Sequence, residues 1–125
     1  MTKVRKFAGW ALLVGVGGLM LFAGTGKAFG FAPPDVFEGM KKYGLLEQAR
    51  LIGAGEAIAA LLLLLPRTSS LGLLLTSGFW GGAICIHMAF AEPYLPQAGL
   101  LVATWIGATL RDTRTLASFV EPRGT

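Results

Sequence analysis

The feature that most constrains this chain is a run of twenty residues, Phe7 to Gly26, that carries no charge. An α-helix rises about 1.5 Å per residue, so such a run spans about 30 Å, the hydrocarbon thickness of a bilayer. Three further apolar stretches follow. The second runs from about Leu45 to Leu65, closes on the leucines Leu61 to Leu65, and includes Glu47, Arg50 and Glu56. The third is Leu71 to Ala91, interrupted only by His87, and the fourth, shortest, runs from about Leu95 to Leu110. Hydrophobic residues make up 54% of the 125, and charged residues 14%, against roughly 25% charged in soluble domains. A single soluble core of this size cannot hide so much apolar surface, whereas lipid can solvate it. The expected fold is therefore all-α. It is an integral membrane four-helix up-down bundle, one transmembrane domain over residues 1–125, with a short interfacial helix between the first and second spans.

The connectors agree with that expectation. Pro66-Arg67-Thr68-Ser69-Ser70 reads as a tight polar turn, and Glu92 to Gln97 as another, with Pro96 suited to the first turn of a helix. Within the long connector, Pro33-Pro34-Asp35 looks like a helix start. Val36, Phe37, Met40 and Tyr43 then recur at helical spacing opposite Glu38, Lys41 and Lys42, with Gly44 as the stop. Two readings fit: a helix lying at the membrane surface, or a cap over the bundle. Lys3, Arg5 and Lys6 resemble the start of a signal peptide, but twenty apolar residues exceed a usual h-region of about 7–15. The first span is therefore expected to stay.

Lys3, Arg5, Lys6, Arg67, Arg111, Arg114 and Arg123 fall on one side of this topology, and Lys27, Lys41, Lys42 and Arg50 on the other. The excess of positive charge places both termini and the Arg67 turn in the cytoplasm. Trp10 and Tyr94 suit interfacial anchors at opposite ends. In lipid, helices associate through small residues that let backbones approach. Such residues recur at spacing four in Ala11/Gly15, Ala49/Gly53/Ala57, Gly78/Gly82 and Gly99/Ala103/Gly107, with Gly17, Gly18 and Gly24 beside them.

Ionisable groups within these spans are the sharpest functional clue, since one at a helix centre costs about 2.5–3.5 kcal/mol to insert for Asp, Lys or Arg. Glu56 lies near the middle of the second span, His87 toward the outer end of the third, and Lys27 at the outer end of the first. Thr76, Trp80, Ala83 and His87 share one stripe of the third helix, and Gln97, Thr104 and Arg111 a stripe of the fourth. One reading is a polar pocket opening outward, built from Lys27, Glu56, Trp80 and His87 with Glu92 as a further candidate. It would bind a quinone-like molecule or relay protons. The other is a hydrogen-bonded Glu–Lys or Glu–His pair that fixes helix register. For His87, nearer the interface, the structural role is the simpler one. The depths also differ: with flush helix ends, the Glu56 and His87 Cα atoms sit about 8 Å apart along the normal.

Other chemistries find no support. Cys85 is the lone cysteine, so an intrachain disulfide and multi-cysteine sites are excluded. Cys85 and His87 point to different helix faces, and no metal site is expected. Gly15-Val16-Gly17-Gly18 follows no strand, so it is not a dinucleotide-binding turn. The basic residues form no dense block with interleaved aromatics, which argues against nucleic acid.

Several segments together resemble the DoxX-like family of small bacterial membrane proteins. They are Phe22-Ala23-Gly24-Thr25-Gly26-Lys27, Glu38 to Gly44, Gly53-Ala54-Gly55-Glu56, Leu65 to Gly72, Gly81 to His87, and Leu110-Arg111-Asp112. The resemblance covers about Gly9 to Arg114 and implies a four-helix bundle in the bacterial cytoplasmic (inner) membrane. It also implies a redox context, since some relatives are subunits of a thiosulfate:quinone oxidoreductase. The family's Lys, Glu and His positions correspond to Lys27, Glu56 and His87, without a catalytic role attached. The expected function is an accessory or assembly subunit rather than an enzyme. Its partners would be the bilayer, a redox protein or further copies of the chain. The alternative is a small membrane enzyme or binder of a lipid-soluble, quinone-like molecule around Glu56 and His87.

Overall fold

The computed structural model describes residues 2–116. Among these, regular structure is entirely helical: α1 (Thr2–Phe29), α2 (Pro34–Lys42), α3 (Ala49–Leu64), α4 (Ser69–Ala89) and α5 (Leu95–Arg111). Single 3-10 turns lie at Leu46–Gln48 and Thr113–Leu116. α1 begins five residues before the apolar run, because nothing in Thr2 to Lys6 breaks a helix. It stops where Gly30 takes a left-handed φ of +83°. Pro34 sits in the first turn of α2, with Asp35 beside it and Lys41 and Lys42 in the last turn, each charge matched to its end of the helix dipole. Gly44 adopts φ +74°. There the Leu45 and Gly44 amides donate to the Met40 and Lys41 carbonyls, a Schellman stop that satisfies the last turn.

The sharp turns are built by side chains and by one strained residue. Leu65 is extended ahead of Pro66, as a residue before proline prefers. The hydroxyls of Thr68 and Ser69 then donate to the Leu62 and Leu63 carbonyls at 2.9 and 2.8 Å, closing α3. At the far end of α4, Ala91 holds φ 55°, and the Glu92 amide reaches back to the His87 carbonyl. This turn aims Glu92 back toward α2.

The four longer helices form a ring of neighbours, α1 against α3 and α5, α4 against α3 and α5. Contacts at two depths set the directions: Gly24 meets Gly53 and Gly17 meets Leu64, so α1 and α3 run oppositely, and Ser77 meets Trp105 and His87 meets Gln97, so α4 and α5 do too. One core layer holds Val16, Met20, Ala59, Ala60 and Trp80, the other Leu13, Leu63, Leu73 and Ala108. α1 and α3 meet backbone to backbone. A Cβ on Gly53 would fall 2.6 Å from the Gly24 carbonyl oxygen, and one on Gly24 would fall 2.7 Å from the Gly53 oxygen.

Three expectations change. A Cβ on Gly78 or Gly82 would meet nothing within 4 Å, and both line a cavity instead of a helix crossing. Gly72 and Gly9 make the close approaches of α4 to α3 and α1 to α5. Spacing alone selects neither pair, because a small-residue stripe shows a possible contact face without its partner. Lengths also differ: α1 and α4 are long and apolar enough to cross a membrane, while α3 and α5 have 16 and 17 residues.

Candidate functional site

At the end of the molecule that carries Lys27, α2 lies over the mouth formed by α1, α3 and α4. Val36, Met40 and Tyr43 turn toward a cavity of about 510 Å3, while Glu38, Lys41 and Lys42 stay exposed. The apolar stripe of α2 thus borders the cavity, which fits both a helix at the membrane surface and a cap. Ile52 of α3 and Phe79, Ala83 and Ile86 of α4 supply most of the remaining wall. Gly78 and Gly82 open it, since neither has a side chain to fill the space.

Two of the expected residues face this cavity, Lys27 and His87. Lys27 turns inward. Its Nζ donates to Glu56 Oε1 at 2.8 Å and lies 5.6 Å from the centre of the Phe79 ring. The Glu56 side chain is 2% exposed and that of Lys27 15%. Glu56 therefore stands behind Lys27 as its buried counter-charge and does not itself line the cavity. The His87 Nδ1 atom lies 2.7 Å from the Ala83 carbonyl oxygen. A carbonyl only accepts, so Nδ1 carries the hydrogen, and in the neutral ring the Nε2 lone pair is left available. The Gln97 amide nitrogen rests 3.4 Å from that Nε2, a long contact. Glu56 and His87 share no hydrogen bond: Glu56 pairs with Lys27, and Lys27 and His87 both line the cavity.

Trp80 is placed elsewhere. Its ring packs in the core layer with Val16, Met20, Ala59 and Ala60, edge-on to Phe79 with centroids 4.9 Å apart. The Thr76-Trp80-Ala83-His87 stripe therefore divides: its inner half is core, its outer half cavity wall. Phe79, one residue away, was not foreseen as a site residue. Its only sequence signal is that a ring at the depth of Lys27 offers a face to an ammonium.

The rim is closed by contacts between residues far apart in the chain. Glu92 accepts from Lys42 Nζ at 2.5 Å and from the Tyr43 hydroxyl. Tyr43 also packs on Phe90 and His87, with centroids 5.0 and 5.9 Å away. Hydrogen bonds from Lys42 and Tyr43 hold the Glu92 carboxyl below its ordinary range. The Tyr43 hydroxyl, donating to that carboxylate, is pushed up to about 12. Glu92 thus belongs to a clasp between α2 and the α4–α5 connector, outside the cavity lining.

Chemically, the cavity offers a wide apolar volume, an ammonium paired with Glu56, the exposed acid Asp35, and an imidazole with one nitrogen held only by the long Gln97 contact. That set is suited to holding an apolar molecule by a polar head. Compared with known protein families, the sequence model of the DoxX-like family matches residues 11–110. The match extends from the first apolar turn of α1 to the last turn of α5. No curated protein and no solved structure matches the chain.

Proposed function

The chain belongs to the DoxX-like family, and from that premise we propose that it is a four-span membrane protein whose α2-capped cavity binds a lipid-soluble molecule by its polar head. The bilayer placement is supported by an inverted surface. Phe22, Leu51, Leu74 and Val102 are 70%, 73%, 66% and 56% exposed, while Glu56, Thr76 and Thr104 are buried. Water disfavours that arrangement, and hydrocarbon favours it. The four long helices then span as an up-down bundle with both termini cytoplasmic, by the distribution of Lys and Arg. The cavity opens toward the outer leaflet beneath α2. At 16 and 17 residues, α3 and α5 are about 24–26 Å long, a mismatch that local thinning or flanking turns absorb.

The observation that carries the ligand proposal is that Lys27 and His87 share one apolar cavity. Glu56 takes one ammonium hydrogen of Lys27 and leaves the others for a ligand. Lys27 then donates to a carbonyl or hydroxyl oxygen, and His87 Nε2 accepts from a hydroxyl, displacing the long Gln97 contact. Because Glu56 balances Lys27 and the exposed Asp35 disfavours an anion, the head group that fits best is neutral, as in a quinone or quinol. The apolar wall takes its ring and tail.

Equilibrium binding of a decyl-tailed benzoquinone to the purified protein in lipid nanodiscs tests this. The Lys27→Met/Glu56→Leu double variant and His87→Ala each weaken binding about ten-fold, the loss expected for one buried hydrogen bond to a charged or polar group. Gly82→Leu abolishes it by filling the cavity. Binding that is indifferent to Gly82→Leu rules the cavity out. An accessory-subunit role instead requires a second chain that copurifies from native membranes and leaves when the α2 face is altered.

A further inference from the structure

A second polar concavity lies at the other end of the molecule, where α1 begins and α5 ends. It is a groove of about 620 Å3 bordered by Lys6 and Trp10 of α1, Ser70 of α4, and Arg111, Asp112 and Arg114. Its acid is already engaged. Arg114 donates to both Asp112 oxygens, at 3.1 and 3.0 Å, and holds that carboxyl down to about 2. Among the described residues neither Lys6 nor Arg111 forms a salt bridge, and Asp112 acts on Arg111 only through space. The Arg111 guanidinium lies 5.4 Å from the centre of the Trp10 ring. Its Nε is buried and has no hydrogen-bond partner among the described residues. Buried donors are rarely left unsatisfied.

We infer that this groove is a binding site for the phosphate of an anionic lipid headgroup, held by Lys6, Arg111 and the Ser70 hydroxyl. The residues that carry these donors come from three helices and border one polar space. A guanidinium fork and an ammonium together match a tetrahedral oxyanion. A lipid suits the site better than a free phosphate because exposed apolar side chains adjoin the donors in sequence. Phe7 is 77% exposed and Leu71 52% exposed, so acyl chains have surface to lie against. Basic pockets between helices on the cytoplasmic side hold anionic headgroups by this chemistry. The inference rests on the bilayer placement proposed above, and is independent of the ligand in the Lys27 cavity.

Native mass spectrometry of the full chain from micelles containing equal phosphatidylglycerol and phosphatidylcholine tests it. The wild type retains phosphatidylglycerol preferentially. Arg111→Gln lowers that preference about ten-fold and Lys6→Gln less, in line with the loss of one charged donor each. Arg67→Gln, at the same end but outside the groove, leaves it unchanged. Equal loss in Arg67→Gln overturns the site in favour of diffuse surface charge, and undiminished preference in Arg111→Gln overturns it outright. If Arg111→Gln does not assemble, Lys6→Gln decides by the same criterion. Displacement of the retained lipid by an equal concentration of inorganic phosphate overturns the lipid assignment. A chain that is monodisperse without detergent removes the bilayer placement itself. Headgroup indifference in an embedded chain removes only the groove.

Discussion

Removing either partner of the Lys27–Glu56 pair should be costly, and the two costs should be unequal. The Glu56 side chain is 2% exposed and pairs with Lys27 at 2.8 Å, while Lys27 is 15% exposed near the end of α1. Lys27→Met leaves a buried carboxylate without counter-charge, which costs about 3–5 kcal/mol. Glu56→Gln keeps the volume and an acceptor, and the Lys27 stem reaches toward the interface, so about 1–2 kcal/mol is expected. Lys27→Met combined with Glu56→Leu replaces the pair with apolar side chains and should fall within about 1–2 kcal/mol of the wild type. Adding Glu56→Leu to Lys27→Met therefore recovers about 2–3 kcal/mol, read from far-UV circular dichroism during detergent-to-dodecyl-sulfate unfolding. A double variant no more stable than Lys27→Met, or a Glu56→Gln loss exceeding that of Lys27→Met, would refute the counter-charge assignment.

Two other perturbations follow from the same geometry. Gly53→Ala forces a Cβ to 2.6 Å from both the Gly24 oxygen and the Lys27 Cβ, so α1 and α3 must separate at a cost of about 1–3 kcal/mol. Gly55→Ala, on the same helix with nothing within 4 Å, should instead stabilise by up to about 1 kcal/mol through helix propensity; the same unfolding assay compares them. The clasp between α2 and the α4–α5 connector has a defined pH window. The depressed Glu92 carboxyl keeps its contribution above the usual carboxylate range and loses it as pH falls through the lowered value. Tyr43 contributes fully below 10.0 and loses its contribution as pH rises toward about 12. In a Tyr94→Phe background, phenolate absorbance should rise with a midpoint near 12, and Glu92→Gln should bring it back down. A midpoint indifferent to Glu92→Gln contradicts the clasp.

Hydrophobic period and punctuation made the helices legible. Pro34 and Gly44 bound α2 as expected, because a fixed φ and a left-handed stop are local properties. The placement of Lys27 against Glu56 was legible as a choice, since a membrane acid needs a partner and few cations lie at its depth. What pattern does not supply is which face meets which. Glycine stripes marked Gly78 and Gly82 as contact residues, yet a glycine serves equally to admit a helix or to leave a void. Lys42 and Glu92 are fifty residues apart in the chain, and only the fold of the two connectors brings them together. Trp80 shares its helix stripe with His87, but the stripe passes from core to cavity between them.

The bilayer placement is tested most directly with single cysteines in a Cys85→Ala background, reconstituted in liposomes. The substituted positions are Ile58 and Val102, 54% and 56% exposed, with exposed Glu38 of α2 as the reference. A chain embedded as described leaves the thiols at 58 and 102 unreacted with a charged, membrane-impermeant maleimide until the lipid is dissolved, while that at 38 reacts at once. Labelling of all three at one rate in intact liposomes would mean that water, not hydrocarbon, covers the apolar belt.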